Sequence, residues 1–218
     1  EGLFMSRLLI IDFFNVFARG YIVSPKININ GEHIGGVHYF ITTTRKLVKE
    51  TRPDKVFVAF EGNNSVARRR KIYKPYKENR GYSGSSRLNR ADHMRVSEIA
   101  EKTGRNTQVN ACIEYLDKLS VYLMALDYYE ADDLIGLLCK KYKGDQKIIV
   151  SNDHDYYQLL DDSTIVYNLD RKQYFTESDL IDTHAVSAAN YAVAKSFIGD
   201  SSDNIPGVSG IGKKGALE

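Results

Sequence analysis

Three short apolar runs decide most of what this chain can fold into. Arg7 to Phe14 reads RLLIIDFF, Lys55 to Phe60 reads KVFVAF, and Lys147 to Ser151 reads KIIVS. Each has the length of a strand and none alternates apolar with polar, so each fits a strand covered on both faces, as in a parallel sheet. Parallel neighbours need long crossovers, usually helical, and helical stretches lie between the runs. Gly35 to Glu50 is expected as a helix, with Pro53 at a typical stopping distance. Ala111 to Ala125 places Ile113, Leu116, Leu119, Leu123 and Met124 at helical spacing and is expected as a core helix. Arg87 to Thr103, Ala131 to Tyr142 and Ala185 to Ile198 are further expected helices, and Thr164 to Asn168 a fourth strand. Strands alternating with helices define an α/β class with a largely parallel sheet.

Composition adds exclusions. The chain has 218 residues, 43% of them hydrophobic and 27% charged, which argues against disorder. Its two cysteines, Cys112 and Cys139, show no CxxC spacing and read as small buried hydrophobes, so neither zinc nor a disulfide framework is expected. No run of about 18 apolar residues exists, so no membrane helix is expected. The start of the chain lacks a signal-peptide core.

The formal net charge of +2 is evenly balanced, yet its distribution is not. Between Arg68 and Arg90 stand nine basic residues, among them Arg68, Arg69, Arg70, Lys77, Arg80, Arg87 and Arg90, against the single acid Glu78. Tyr73, Tyr76 and Tyr82 interleave with them, offering flat rings for bases beside cations for phosphates. The plainer reading is a solvated basic face. Residues 63 to 90 show no clean period and are expected as a mobile loop or arch.

The acids gather where open α/β sheets form their sites, at the carboxyl ends of strands. Asp12 lies inside the first apolar run and must be paired or bind a cation. Glu61 follows the second run, and Asp153 and Asp155 follow the third. Glu130, Asp132 and Asp133 open a helix, and Asp200 and Asp203 lie in the turn GDSSDN. Singly these are turn and N-capping residues. Gathered on one sheet edge they repel one another unless cations intervene. Oxygen-only donors suit Mg²⁺ or Mn²⁺, and two such ions clamp a phosphodiester and activate water.

The order of these motifs resembles the flap endonuclease family, closest to bacterial and bacteriophage 5′ nucleases, including the 5′→3′ exonuclease domain of DNA polymerase I. The motifs are Asp12-x-x-Asn15-x-x-x-Arg19, Tyr76-Lys77-Glu78-Asn79-Arg80, Glu130-Ala-Asp-Asp133, Ser151-Asn-Asp-His-Asp155 and the run from Gly199 to Lys213. The resemblance implies a PIN-like α/β fold, a mostly parallel central sheet flanked by helices. It adds a basic helical arch over about 81–106 and the start of a C-terminal helix–hairpin–helix element. A nuclease domain over 1–184 would be followed by that start over 185–218, with the rest of the element cut away.

By the same resemblance, Asp12, Glu61, Glu130 and Asp132 surround a first divalent ion. Asp153, Asp155 and Asp200 surround a second, with Asp133 and Asp203 as outer acids. Lys77 and Arg80 are the catalytic cations at the scissile phosphate. Asn15, Arg19, Tyr76, Arg68, Arg69, Arg70, Arg87 and Arg90 fall to DNA contact. So do Gly207, Gly210, Gly212, Lys213 and Lys214 of the hairpin, where a K⁺ ion joins the duplex phosphates. The family usually has Asp where Glu61 stands, making Glu61 the least secure ligand. The implied activity is structure-specific 5′ nuclease cleavage of DNA with 5′ flaps or 5′ ends, and of RNA–DNA hybrids, by a cytoplasmic, non-secreted monomer of a bacterial or phage-infected cell.

Two other readings stay open on sequence. A PIN-type ribonuclease shares the acidic centre but lacks the basic arch and the GVSGIGKK segment. A nucleic-acid-binding factor with a weakened nuclease centre conflicts with the retained Asp12, Asp153, Asp155 and Asp200. Gly210 to Gly215 matches GxGxxG and Gly207 to Lys214 nearly matches a P-loop, but no strand precedes either.

Overall fold

The three apolar runs lie side by side as the centre of one six-stranded sheet. A computed structural model describes residues 6–78, 98–212 and 215–216, with side chains omitted over 98–103. The strands are β1 (Arg7–Asp12), β2 (Lys55–Ala59), β3 (Tyr122–Met124), β4 (Gln146–Val150), β5 (Thr164–Asn168) and β6 (Gln173–Phe175). Their spatial order is β3-β2-β1-β4-β5-β6, parallel throughout except for β6, which runs antiparallel on the edge. The chain builds outward from β1 to one side and then returns to build outward on the other. The crevice between the carboxyl ends of β1 and β4 is therefore a topological switch point, where such sheets bind ligands.

Helices cover both faces, which is why β1 reads as unbroken apolar sequence. On one face Leu9 and Ile11 pack with α1 (Phe13–Val23), α2 (Gly35–Thr51) and α4 (Glu98–Leu116), Cys112 among the buried contacts. On the other, Leu8 and Ile10 pack with α5 (Ala131–Lys141), a 3₁₀ helix (His154–Leu159), α6 (Glu177–His184) and α7 (Ala188–Ile198), with Cys139 among them. Burial pushes the two thiols up to about 12 and about 11, so both stay protonated and apolar in behaviour. α3 (Ala67–Ile72) is a short exposed helix inside the basic run. No described helix is long and apolar enough to cross a membrane.

Several elements differ from the sequence expectation. β1 stops at Asp12 because that carboxylate caps α1, accepting from Asn15 N–H, so Phe13 and Phe14 are helical. The expected helix over 111–125 divides: α4 ends at Leu116 and Tyr122–Met124 joins the sheet edge. Ile113 and Leu119 are exposed in consequence, while Cys112 and Leu116 are buried. Residues 98–103 of the expected 87–103 helix are the first part of α4; 87–97 lie outside the described residues. So does most of the expected arch, and its remainder, 98–106, continues α4. Beyond α7 the described residues of the expected hairpin region form turns, with 215 and 216 helical.

Candidate metal centre

Asp12 enters the switch crevice from β1 and is only 8% exposed. Its Oδ2 accepts from the Tyr156 hydroxyl at 3.0 Å and the Ser151 hydroxyl at 3.1 Å. These donors are neutral and do not cancel the charge, so burial still raises the carboxyl to about 6. Asn15, one turn on, accepts from the Asn152 N–H at 2.8 Å and ties α1 to the loop after β4.

The first cluster forms at the start of α5. Glu130, 2% exposed, accepts from Arg69, from Lys77, and from the Tyr76 hydroxyl at 2.8 Å. Arg69 also donates to Asp133 at 3.0 Å and Asp132 at 3.1 Å, so one guanidinium spans three carboxylates. Asp133 closes the helix start by accepting from Glu130 N–H at 3.0 Å. Burial, only partly offset by Arg69, raises the Asp132 carboxyl. Glu61 sits at the rim after β2, its carboxyl raised by desolvation and then by the charge of Glu130.

The second cluster joins the 3₁₀ helix to the turn after α7. Carboxylate oxygens of Asp155, Asp200 and Asp203 lie within 4.8 Å of one another, the one acidic trio among the described residues gathered that closely. Asp153 stands beside this trio, its Oδ1 accepting from Asp155 N–H at 2.9 Å. The trio thus draws in Asp203, expected as an outer acid, while Asp153 caps the 3₁₀ helix. Lys195 of α7 donates to Asp155 and, at 2.8 Å, to Asp200. Burial pulls the Asp200 carboxyl up, but Lys195 and Ser202 hold it at about 2. The turn is tight: Gly199 has φ +80°, and a Cβ there would lie 2.3 Å from Gly207 N. A Cβ on Gly207 would in turn lie 2.3 Å from Ile198 O, so both positions need glycine.

Both clusters open on one cleft of about 910 Å³, whose walls include Arg69, Tyr76, Asp132, Asp133, Asp155 and Asp203. Its donors are all carboxylate oxygens, without His or Cys, which suits hard divalent cations.

The expected DNA-contacting residues distribute differently. Tyr76 is 5% exposed, with its ring buried and its hydroxyl on Glu130, so it offers no face to a base. Arg69 points into the acids. Arg70 holds the Tyr76 carbonyl at 2.9 Å, and Arg19 pairs with Asp170 at 2.8 Å. Arg68 lies 4.2 Å over the Tyr129 ring on the exposed side. Gly210, with φ +82°, and Gly212 are exposed in the terminal turn. Arg80, Arg87, Arg90, Lys213 and Lys214 lie outside the described residues. Lys195 is the residue in contact with the acidic trio that the sequence does not single out. It is the one charged residue of α7 (AANYAVAKSFI), five residues before Asp200, and that isolation is the available signal.

A doubly covered, mostly parallel sheet with two carboxylate clusters on one cleft is the arrangement of a metal-dependent phosphoryl-transfer protein. The model of the 5′-3′ exonuclease N-terminal, resolvase-like domain matches residues 7–189, and the chain belongs to that family. A 5′-3′ exonuclease of Halalkalibacterium halodurans is 30% identical over 224 residues, covering 96% of this chain and 68% of that protein. DNA polymerase I of Caldicellulosiruptor bescii is 29% identical over 219 residues, 96% of this chain but 24% of the polymerase. The flap endonuclease of bacteriophage T5, solved with DNA and metal ions, shares the fold with a TM-score of 0.77 at 22% identity, covering 97% of this chain and 73% of that one.

Proposed function

We propose that this chain is a divalent-metal-dependent 5′ nuclease that hydrolyses phosphodiesters near the junction of a 5′ single strand and a duplex. The observation that carries the reading is the pairing of two carboxylate clusters across one cleft, each only partly offset by its own cations, Arg69 and Lys77 on one side and Lys195 on the other. Such a density of acid is stable only with cations among it. The family of relatives named 5′-3′ exonuclease, and the T5 enzyme solved with DNA and metal, support the same reading.

Asp155, Asp200 and Asp203 would hold one divalent ion, with Asp153 adjacent. Asp12, Glu61, Glu130 and Asp132 would serve the other, Mg²⁺ or Mn²⁺ in both cases. Bound there, such ions supply a water of lowered pKa and Lewis acidity at the phosphoryl oxygens. The chain's own part is to fix these carboxylates and to bring positive charge to the cleft. Lys77 stands on Glu130 beside the cleft-lining Tyr76, 12% exposed, with φ +52°, an uncommon backbone for lysine that is held by tertiary contacts. Its ammonium is placed to stabilise charge developing on a phosphate. Arg68, Arg80, Arg87 and Arg90 would steer the single strand. RNA–DNA hybrids and a K⁺ ion at the 207–214 hairpin belong to the same proposal, as does action as a monomer in the cytoplasm.

The test uses labelled 5′-flap DNA, plain single-stranded DNA and hairpin RNA, each with Mg²⁺ or EDTA. Flap cleavage abolished by EDTA and by Asp200→Ala is expected. Preference for hairpin RNA would shift the reading to a ribonuclease, and binding without cleavage would remove the enzyme altogether.

A further inference from the structure

Lys195 occupies the lone pairs that a metal ion would need. Asp200 Oδ1 is used three times, by Ser202 N–H at 2.8 Å, the Ser202 hydroxyl at 2.6 Å and Asp203 N–H at 3.3 Å. Those bonds build the turn that brings Asp203 into the trio. The oxygen that Asp200 can offer a cation is therefore Oδ2, and the Lys195 ammonium sits on it at 2.8 Å. The same ammonium holds Asp155 Oδ1. An ion bridging Asp155, Asp200 and Asp203 draws on the same carboxylates, and two cations packed a few ångströms apart repel.

We propose that Lys195 is an internal competitor for the second divalent ion: it holds the carboxylate trio together without metal and withdraws when the ion enters. The inference rests on the metal-dependent reading above. Two features suit the side chain to withdrawal. A lysine ammonium is a compact point charge on a flexible stem, unlike the planar fork by which Arg69 grips three acids. Beside it lies a second cleft of about 450 Å³, bounded by Asn15, Asn152, Asp153, Asp200 and Ser201, that gives the head group room to move. Lys195 thereby keeps the trio assembled at low metal and lowers the affinity of the ion that the trio would hold.

The experiment is calorimetric titration of the full chain with Mn²⁺, comparing the native chain with Lys195→Met, Lys195→Gln and Lys195→Arg. Melting in EDTA reports whether each variant folds. Two ions are expected for the native chain. In Lys195→Met and Lys195→Gln one of the two ions should bind about tenfold tighter, the scale of one lost hydrogen bond to a charged group. Lys195→Arg, which keeps the cation, should stay within about twofold of the native chain on the same scale. The two neutral variants should also melt lower in EDTA and recover with Mn²⁺. Unchanged or weakened affinity in both folded neutral variants, with two ions still bound by the native chain, overturns the role of Lys195 and leaves the nuclease reading standing. Absence of Mn²⁺ binding by the native chain overturns both.

Discussion

The backbone N–H of Lys77 donates to the carbonyl of Asp203 across 2.9 Å, joining the segment that carries the first cluster's lysine to the turn that carries the second cluster's acid. Asn204 adds a parallel tie from its side-chain amide to the Pro75 carbonyl at 2.9 Å. The base of the basic run is thus stitched to the turn after α7. The distance between the two carboxylate clusters is set by these bonds rather than by the sheet alone.

Asn204 tests that stitching. It adopts φ +60°, which Asn tolerates and glycine adopts freely. Asn204→Gly keeps the backbone and removes the amide, so it should cost about 1 kcal/mol of stability. Cleavage should fall further than that loss of stability explains, because the Lys77 N–H bond to Asp203 is then the one remaining of the two ties that hold Lys77 in register. Urea unfolding paired with flap-cleavage rates checks both. Native rates in Asn204→Gly would show that the tie does not position Lys77.

Asp12 makes stability depend on pH. Its carboxyl is raised from 3.8 to about 6 by burial. A raised acid binds its proton more tightly in the folded chain, so the folded state is favoured at low pH and loses stability as pH rises from about 4 to about 6. The loss is on the order of 3 kcal/mol and constant above that window. Asp12→Asn should therefore melt higher than the native chain at pH 8 in EDTA, while cleavage with Mg²⁺ is lost. Mg²⁺ should narrow the difference by stabilising the native carboxylate. Equal pH slopes for the two chains in EDTA would mean that Asp12 carries no such cost.

Much of the fold was legible because β1, β2 and β4 are buried on both faces and leave no polar alternation to misread. The acids were legible for the same reason, since a strand that ends at Asp12, or shortly before Glu61 or Asp153, fixes which edge those residues reach. β3 was missed because Leu123 and Met124 continue the helical spacing of Ile113 and Leu116, and only the exposed turn after Leu116 separates them. Arg69 was indistinguishable in sequence from Arg68 and Arg70. Only the helical rotation of α3 turns that one guanidinium inward while its neighbours face a ring and a backbone carbonyl. Tyr76 stands among cations in the sequence as a base-stacking ring would, but sequence proximity does not fix which way a ring faces, and this one turns to Glu130.

Arg69 should behave as a counter-ion rather than as a DNA contact. It donates to Glu130, Asp132 and Asp133 with its side chain 32% exposed. Arg69→Met leaves three acids short of a cation and should lower stability in EDTA by about 1–3 kcal/mol. Mg²⁺ should restore most of it. The salt dependence of DNA affinity should stay as in the native chain, whereas Lys77→Ala combined with Arg80→Ala should flatten that slope by one to two. A flattened slope for Arg69→Met would return it to the phosphate contacts.

Gly62 sets the approach of Glu61 to Glu130. The Gly62 N–H donates to the Tyr129 carbonyl at 3.1 Å, and a Cβ at position 62 would fall 1.8 Å from the Leu126 carbonyl oxygen. That neighbour is backbone, so it cannot rotate away and the 126–129 loop must move. Gly62→Ala should cost about 1–3 kcal/mol, as overpacking does in cores. The displaced loop leads directly into Glu130, so the first cluster should open and lose affinity for its ion while the Asp155–Asp200–Asp203 trio keeps its own. Mn²⁺ titration resolves the two sites. Weakening of one ion only is the expected result, and equal weakening of both would show that the two clusters move as one unit.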